Sequence, residues 1–240
     1  LKEHPDTRVI SGGSDVLIKI REGKMAGTSL VSIRDIKELN GITKKENGDI
    51  YIGAGTTFSH ITNDPVIQEN IPVLGEAVDQ VGGPQIRNIG TIGGNICNGA
   101  VSADSAPTVF SLNALLRIED GNNGRTVPVR DFYLGPGRVD LKRGEILTHV
   151  IIPAKEYQGY HGNYIKYSMR KAMDIATLSC SVVSKVNTEK NILEDVRITF
   201  GVAAPVPFRC EKTEAALKGQ EISEKLYEMT EQSIDRKSVV

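Results

Sequence analysis

The sequence lacks the residues that mark several classes of protein. It contains no tryptophan and only three cysteines, Cys97, Cys180 and Cys210, which lie far apart and form no C-x-x-C pair. Their number and spacing argue against a disulfide framework and against a cysteine-based zinc or iron–sulfur site, and they indicate a reduced, cytoplasmic protein. No run approaches about 18 consecutive apolar residues, and residues 1–6 show no secretory signal pattern.

The chain also has almost no net charge. Its 29 basic and 30 acidic residues are interspersed and give a formal charge of −1, so no electrostatic surface for nucleic acid or an anionic membrane is expected. The sequence has no nucleophile elbow, P-loop or pair of catalytic carboxylates, so the chemistry is expected to belong to a bound cofactor. No metal site is predicted, because metal-ligand spacing is missing from the four histidines, His4, His60, His149 and His161.

Hydrophobic periodicity and turn residues predict an α+β protein with a boundary near residues 153–160. In the first part, a helix or turn capped by Ser14 or Asp15 follows the first strand, and 82–106 is predicted to be an ordered, glycine-rich loop region. Strands are predicted at 7–11, 29–33, 42–45, 49–53, 115–119 and 145–152, and helices at 72–81 and 106–112. The second part should hold strands at 163–169, 178–186 and 195–200, then helices at 209–217 and 222–234.

The first motif that bears on chemistry is Ser11-Gly12-Gly13-Ser14-Asp15, directly after the first predicted strand. Paired glycines let backbone N–H groups turn inward as a nest for phosphate oxygens, and the start of a helix favours the same anion. A pyrophosphate would fit there. Taken alone, the motif is better explained by a tight strand-to-helix turn without a ligand, because short glycine motifs are common and the G-x-G-x-x-G spacing of a Rossmann turn is missing.

The second motif is Thr91-Ile92-Gly93-Gly94-Asn95. Its glycines allow close approach to a ligand, and Asn95 can donate and accept hydrogen bonds. Asp104 could accept from ligand hydroxyls. Alternatively, the glycines form a packed bulge or crossover loop, and Asp104 caps the helix that follows.

The combined motifs resemble the FAD-binding subunits of the xanthine dehydrogenase and carbon monoxide dehydrogenase family. The resemblance is closest to bacterial xanthine dehydrogenases with separate subunits, and it extends over nearly the whole chain. It rests on Gly12-Gly13, Pro84-Gln85-Ile86-Arg87-Asn88, 91–98 and Asp104, and continues through 53–57, Phe132, 135–137, Asp140, 145–147, 166–167 and 200–205.

The resemblance implies a two-lobed FAD-binding fold of the vanillyl-alcohol oxidase type in residues 1–153, with lobes at 1–40 and 41–153. A small C-terminal domain, with a three-stranded sheet and helices in residues 160–240, would cover the flavin. The first turn would wrap the pyrophosphate through Val9, Ile10, Ser11, Gly12, Gly13, Ser14, Asp15 and Val16. The second segment would hold the phosphates and ribityl chain through Thr91, Gly93, Gly94, Asn95 and Asp104.

Two further positions follow from the same resemblance. Leu147 would pack near the adenine or the flavin, and Lys166 would lie close to the flavin ring, where a cation favours the anionic reduced form. Without the family, Lys166 would simply be the outward residue of a strand. The chain departs from some relatives at Val81-Gly82, where they place an aromatic ring over the flavin. Residues 169–174, with Arg170 and Lys171, correspond to a mobile loop near the acceptor site, where these charges would bind NAD phosphates or remain solvated.

The function implied is that of an electron-transfer subunit of a molybdenum hydroxylase. It would take electrons from iron–sulfur clusters on one partner chain and pass them through FAD to NAD, while a molybdopterin-binding partner oxidises the substrate. Two alternatives are a stand-alone flavin oxidoreductase of the same fold and an assembly subunit that has lost its flavin.

Overall fold

The computed structural model describes residues 1, 3–4 and 6–234. The strands of this part of the chain are β1 (Arg8–Ile10), β2 (Leu30–Ser32), β3 (Ile42–Lys44), β4 (Ile50–Gly53), β5 (Leu115–Glu119), β6 (Gly124–Pro128), β7 (Tyr133–Gly135), β8 (Arg138–Val139), β9 (Ile146–Ile152), β10 (His161–Tyr167), β11 (Leu178–Asn187), β12 (Ile192–Gly201) and β13 (Phe208–Arg209). The helices are α1 (Val16–Arg21), α2 (Phe58–Asn63), α3 (Pro65–Asn70), α4 (Pro72–Asp79), α5 (Pro84–Arg87), α6 (Ile92–Asn98), α7 (Ser105–Ser111), α8 (Val129–Phe132), α9 (Glu211–Leu217) and α10 (Glu224–Ser233).

The strands form two larger sheets and two small ones. The larger sheets are antiparallel, with strand orders β3-β4-β9-β5-β6 and β10-β11-β12-β13. Strands β1 and β2 pair in parallel, because the chain returns through α1 between them, and β7 pairs with β8. The mixture of sheets and helices agrees with the α+β fold class that the sequence predicts.

A layer of helices lies between the two larger sheets. Alternate residues of the five-stranded sheet, such as Ile50, Ile52, Leu116 and Ile118, are fully buried in the main core, as expected for a strand with one face inward. Helix α6 contacts β9 on one side, α4 contacts β10, and α7 contacts β11 and β12 on the other side. All residues of α7 are buried as a result.

A second, smaller core covers the outer face of the four-stranded sheet. Leu193 and Ile198 of β12 pack there with Leu217 of α9 and Leu226 of α10. The inner face is fixed by Arg197, whose guanidinium donates to the carbonyls of Ser111 and Glu156 at 3.2 and 2.9 Å. These contacts position β10, the strand that carries Lys166, against the helical layer.

The structure confirms the predicted strands in outline and corrects three details. Residues 82–106 are not a loop, because α5 and α6 lie within them, and the final sheet has four strands because β13 occupies the predicted start of the helix at 209. The predicted capping of α1 by the side chain of Ser14 or Asp15 is not found. Asp15 occupies the N-cap position, but its side chain makes no capping hydrogen bond, and its carboxylate pairs with Lys19 at 2.6 Å. None of the helices among the described residues has the length and hydrophobicity of a transmembrane span.

Candidate functional site

The first glycine motif is a turn with free backbone donors. Gly13 has φ +77°, a left-handed conformation that favours glycine. The backbone N–H groups from Gly12 to Asp15 donate to no other residue that the structure describes. Consecutive N–H groups of this kind form a concave anion-binding nest. The turn therefore has the donors that a pyrophosphate needs.

The two glycine motifs lie side by side. A Cβ atom on Gly12 would overlap with the carbonyl group of Ile89 and would lie 3.0 Å from the Cα atom of Gly90. The hydroxyl of Thr91 donates to the hydroxyl of Ser11 at 3.3 Å. Gly12 is thus required by the protein's own packing, which joins the two motifs into one surface.

The second motif forms the first turn of α6. Thr91 is its N-cap, and its hydroxyl accepts from the backbone N–H of Gly94 at 3.1 Å. Gly93 donates its backbone N–H to Ala54 at 2.9 Å, and a Cβ atom on Gly93 would lie 2.5 Å from the Cβ of Ala54. Gly94, in contrast, is exposed. The interpretation of this motif as a bulge or crossover loop is therefore wrong, and Gly94 is the glycine of the pair whose face is open to a ligand.

Replacing Thr91 with valine should remove this cap at nearly constant volume. We expect the free energy of unfolding to fall by about 1 kcal/mol, because the N–H of Gly94 then lacks its acceptor. Urea denaturation measures the change. Thr91→Ser keeps the hydroxyl and should retain most of the stability; equal losses in both variants would show that the cap contributes nothing.

A cleft of about 230 Å³ opens beside α6. The volume is below the roughly 300–1,000 Å³ of typical sites for drug-sized ligands, so the cleft accommodates one part of a dinucleotide. The amide oxygen of Asn95 accepts from the hydroxyl of Ser105 at 2.6 Å, which fixes the orientation of this side chain. The lining includes Val81, Gly82, Asn95, Asp104, Met173 and Ile175.

A buried ion pair borders the cleft, and its carboxylate, Asp104, is part of the cleft wall. The ammonium group of Lys166 donates to Asp104 Oδ2 and to the carbonyl of Gln80, both at 2.9 Å. The hydroxyl of Tyr164 donates to the other oxygen, Asp104 Oδ1, also at 2.9 Å. The side chains of Lys166 and Asp104 are only 6% and 8% exposed. Burial raises the pKa of Asp104, and the hydrogen bonds from Lys166 and Tyr164 oppose that rise.

Two interpretations made from the sequence are wrong here. Asp104 stands at the N-cap position of α7, but its own backbone is helical and its side chain makes no capping bond. Lys166 is not the outward residue of its strand, because the exposed neighbours are Ile165 and Tyr167. The structure thus brings Asn95, Asp104 and Lys166 to one place.

Leu147 lies elsewhere in the fold. It is on β9 in the centre of the five-stranded sheet, 3% exposed within the main core. In the loop after β10, Arg170 donates to Asp174 at 3.3 Å and to the carbonyl of Met173 at 3.1 Å. Arg170 therefore holds the loop that borders the cleft, while Lys171 is exposed.

The sequence did not identify Tyr164 and Gln80 as residues of this site. Tyr164 is two residues before Lys166 on the same strand, so its side chain faces the same way, and this spacing could have identified it. Gln80 contributes a backbone carbonyl, for which no sequence signal exists. Among the described residues, no group of three or more His, Cys, Asp or Glu side chains is arranged to hold a metal ion.

Comparison with known proteins gives two matching family models. The model of the FAD binding domain in molybdopterin dehydrogenase matches residues 1–155, and the model of the CO dehydrogenase flavoprotein C-terminal domain matches residues 163–238. A putative xanthine dehydrogenase FAD-binding subunit of Escherichia coli strain K12 is 37% identical over 234 residues, which cover 98% of this chain and 80% of that protein.

Solved structures of similar proteins have the same fold. A carbon monoxide dehydrogenase from Hydrogenophaga pseudoflava superposes with a TM-score of 0.88 at 30% identity, covering 95% of this chain and 78% of the other. Quinoline 2-oxidoreductase from Pseudomonas putida 86 shares the fold, with a TM-score of 0.89 at 24% identity and coverage of 97% and 79%. The chain therefore belongs to the family of FAD-binding subunits of molybdopterin dehydrogenases, which are components of oxidoreductases.

Proposed function

We propose that this chain is the FAD-binding electron-transfer subunit of a molybdenum hydroxylase of the xanthine dehydrogenase type. It takes electrons from iron–sulfur clusters on a partner chain and delivers them through FAD to NAD, while a molybdopterin-binding partner oxidises the substrate. The observation that carries the proposal is the row of backbone N–H groups from Gly12 to Asp15, which donate to no described residue and lie beside the start of α6. A dinucleotide needs both parts, a nest for its pyrophosphate and a cleft for another portion.

Each part of the site has its own role toward FAD. The turn at residues 9–16 holds the pyrophosphate through its backbone donors, and Gly94 lets the ligand approach α6 closely. From the wall of the cleft, Asn95 donates to or accepts from polar groups of the ligand, and Asp104 accepts from them. FAD bound there supplies the redox chemistry, and the protein positions it and tunes its potential.

The positive charge of Lys166 is balanced by a neighbouring carboxylate, which limits its electrostatic effect on the ligand. Its ammonium group is paired with Asp104, so the two together are close to neutral when both are ionised. Lys166 therefore acts through a directed N–H group and a local dipole rather than as an isolated cation. The role of Leu147 in packing against the ligand rests on the family resemblance alone, since the residue lies in the main core.

The proposal includes the arrangement of the chain and its location. The FAD-binding domain comprises residues 1–153 and the C-terminal domain residues 160–240, joined by a short connection that follows β9. The location is cytoplasmic, in keeping with the unpaired thiols of Cys97, Cys180 and Cys210.

The proposal is tested by absorption spectroscopy of the purified chain with FAD, followed by anaerobic NADH. We expect a bound-flavin spectrum that NADH bleaches. FMN, which lacks the pyrophosphate and adenosine, is the control ligand and should bind more weakly, because it cannot fill the turn at Gly12-Gly13.

Each outcome tests a different part of the proposal. Flavin bound but not bleached would keep the FAD role and move the acceptor from NAD to another molecule. Turnover of a substrate without partner chains would indicate a stand-alone flavin enzyme. Folded protein that binds no FAD at high ligand concentration would overturn the proposal and leave an assembly subunit.

A further inference from the structure

Tyr164 is a buried titratable residue to which the proposed function gives no role. It is 5% exposed and lies on β10, with its hydroxyl 2.9 Å from Asp104 Oδ1. Lys166 occupies the other oxygen of the same carboxylate. Asp104 is therefore held by one donor on each oxygen, and both donors come from the same face of one strand.

The two donors offset the cost of burying the carboxylate. Burial raises the pKa of Asp104, which disfavours its charged form. Burial beside this carboxylate also raises the pKa of Tyr164, so its hydroxyl keeps its proton and remains a donor throughout the neutral range. A hydrogen bond to a charged oxygen stabilises more than one to a neutral oxygen. The Tyr164 contact accordingly favours the ionised form of Asp104.

We propose that Tyr164 is a positioning residue of the flavin site, holding the Asp104 carboxylate ionised and in one orientation on the wall of the cleft. The inference rests on the proposed function, since Asp104 is one of the residues that would accept from FAD. Tyr164 itself acts through Asp104. Without its hydroxyl, Asp104 takes up a proton more readily, and Lys166 loses the charge of its partner.

The groups that face this cluster come from every element packed around it. Lys166 is the cation, and the carbonyl of Gln80 shares its ammonium group. Asp174, at the edge of the cleft, is bound by Arg170, which lowers the pKa of this carboxyl. On β11, Ser179 and Ser181 pair with Lys166 and Tyr164, and neither serine titrates. Of these two carboxyl groups, the pKa of Asp104 is raised and that of Asp174 is lowered.

The matched variants are Tyr164→Phe and Tyr157→Phe. Tyr157 is a second buried tyrosine, 4% exposed, whose hydroxyl donates to the carbonyl of Gly48 at 2.6 Å. Each variant loses one buried hydroxyl and one hydrogen bond without a change of ring. The partner of Tyr157 does not titrate, so only the Tyr164 variant should show a pH-dependent loss.

The first readout is the unfolding equilibrium constant in urea between pH 5 and pH 8, measured on the flavin-free chain. A raised folded-state pKa of Asp104 contributes stability at low pH that is lost as pH rises through that pKa. The Tyr164 variant raises this pKa further, so its loss grows with pH. We expect its unfolding constant, relative to the unsubstituted chain, to increase by roughly fivefold to tenfold more at pH 8 than at pH 5. The ratio for the Tyr157 variant should stay constant.

The second readout is the dissociation constant for FAD over the same range. We expect the Tyr164 variant to bind FAD more weakly as pH falls, because Asp104 becomes protonated, while the Tyr157 variant follows the unsubstituted chain. A pH-independent stability loss in Tyr164→Phe overturns the inference, as does FAD binding whose pH dependence is unchanged. If the unsubstituted chain fails to bind FAD, the proposed function fails, and the stability comparison still decides whether Tyr164 controls the ionisation of Asp104.

Discussion

Gly93→Ala should destabilise the protein by about 3 kcal/mol, whereas Gly94→Ala should leave its stability within about 1 kcal/mol of the unsubstituted chain. The two glycines are adjacent in the first turn of α6 and differ in what a methyl group would meet. At Gly93 it would lie 2.5 Å from the Cβ and 2.7 Å from the carbonyl oxygen of Ala54. Backbone at this distance cannot move aside without shifting β4 or α6.

At Gly94 the new methyl group meets only the hydroxyl of Thr91, at 3.0 Å, and otherwise faces outward. A small adjustment of the cap is partly offset by the higher helix propensity of alanine. If FAD approaches α6 on this face, the methyl group occupies its place. We expect FAD affinity to fall at least about tenfold, which corresponds to ~1.4 kcal/mol.

Urea denaturation without ligand measures the stability of the two variants, and titration with FAD measures their affinity for the ligand. Stable Gly94→Ala protein with weakened FAD binding would separate the ligand-facing glycine from the structural one. Unchanged affinity in Gly94→Ala would remove α6 from the ligand surface. Gly93→Ala protein as stable as the unsubstituted chain would contradict the packing argument.

These glycines show how much of the candidate site could be predicted from the sequence. Glycine pairs singled out both segments as candidates, but the sequence did not distinguish glycines required by packing from those open to a ligand. Gly12 and Gly93 belong to the first kind, because a Cβ atom would overlap with neighbouring backbone. The glycine pairs alone therefore do not distinguish a flavin-binding subunit from an assembly subunit that has lost its flavin. The free N–H groups of the first turn and the open face of Gly94 now support the flavin site.

The other differences between the predicted and the observed structure also have a physical cause. Local patterns predicted most strands, because alternation and turn residues are properties of neighbouring residues. Helix α6 was missed, since its glycines are poor helix formers and its stability comes from the Thr91 cap and tertiary packing. The contact of Asp104 with Lys166 spans 62 positions in sequence. No local pattern carries such a pairing, and only the family resemblance pointed to both residues.

Lys166→Met should be the most destabilising single change at the site, with a loss of about 3–5 kcal/mol near neutral pH. Methionine retains most of the length and apolar surface of the side chain, so the main change is electrostatic. Asp104 would remain 8% exposed without its cation, and a buried carboxylate without a countercharge is strongly unfavourable. The matched control is Arg130→Met in the exposed pair with Glu211, which should cost less than about 1 kcal/mol.

The pH dependence of this loss identifies its cause. The pKa of Asp104 is already raised by burial, and removal of the Lys166 ammonium raises it further. The variant therefore recovers stability as pH falls and Asp104 becomes neutral, and it loses stability as pH rises through the folded-state pKa. A loss that is the same at pH 5 and pH 8 would point to lost packing instead of an unpaired charge.

The double variant Asp104→Asn with Lys166→Met completes the test. Asparagine keeps an oxygen acceptor for Tyr164 and carries no charge, so the double variant has no unpaired ion in the low-dielectric interior. Its destabilisation should be smaller than that of Lys166→Met alone, because the buried charge is gone. A destabilisation equal to the sum of the two single changes would mean that the residues contribute independently. In that case the 2.9 Å contact would not couple them, and the account of Lys166 as one half of a neutral pair beside the flavin cleft would be wrong.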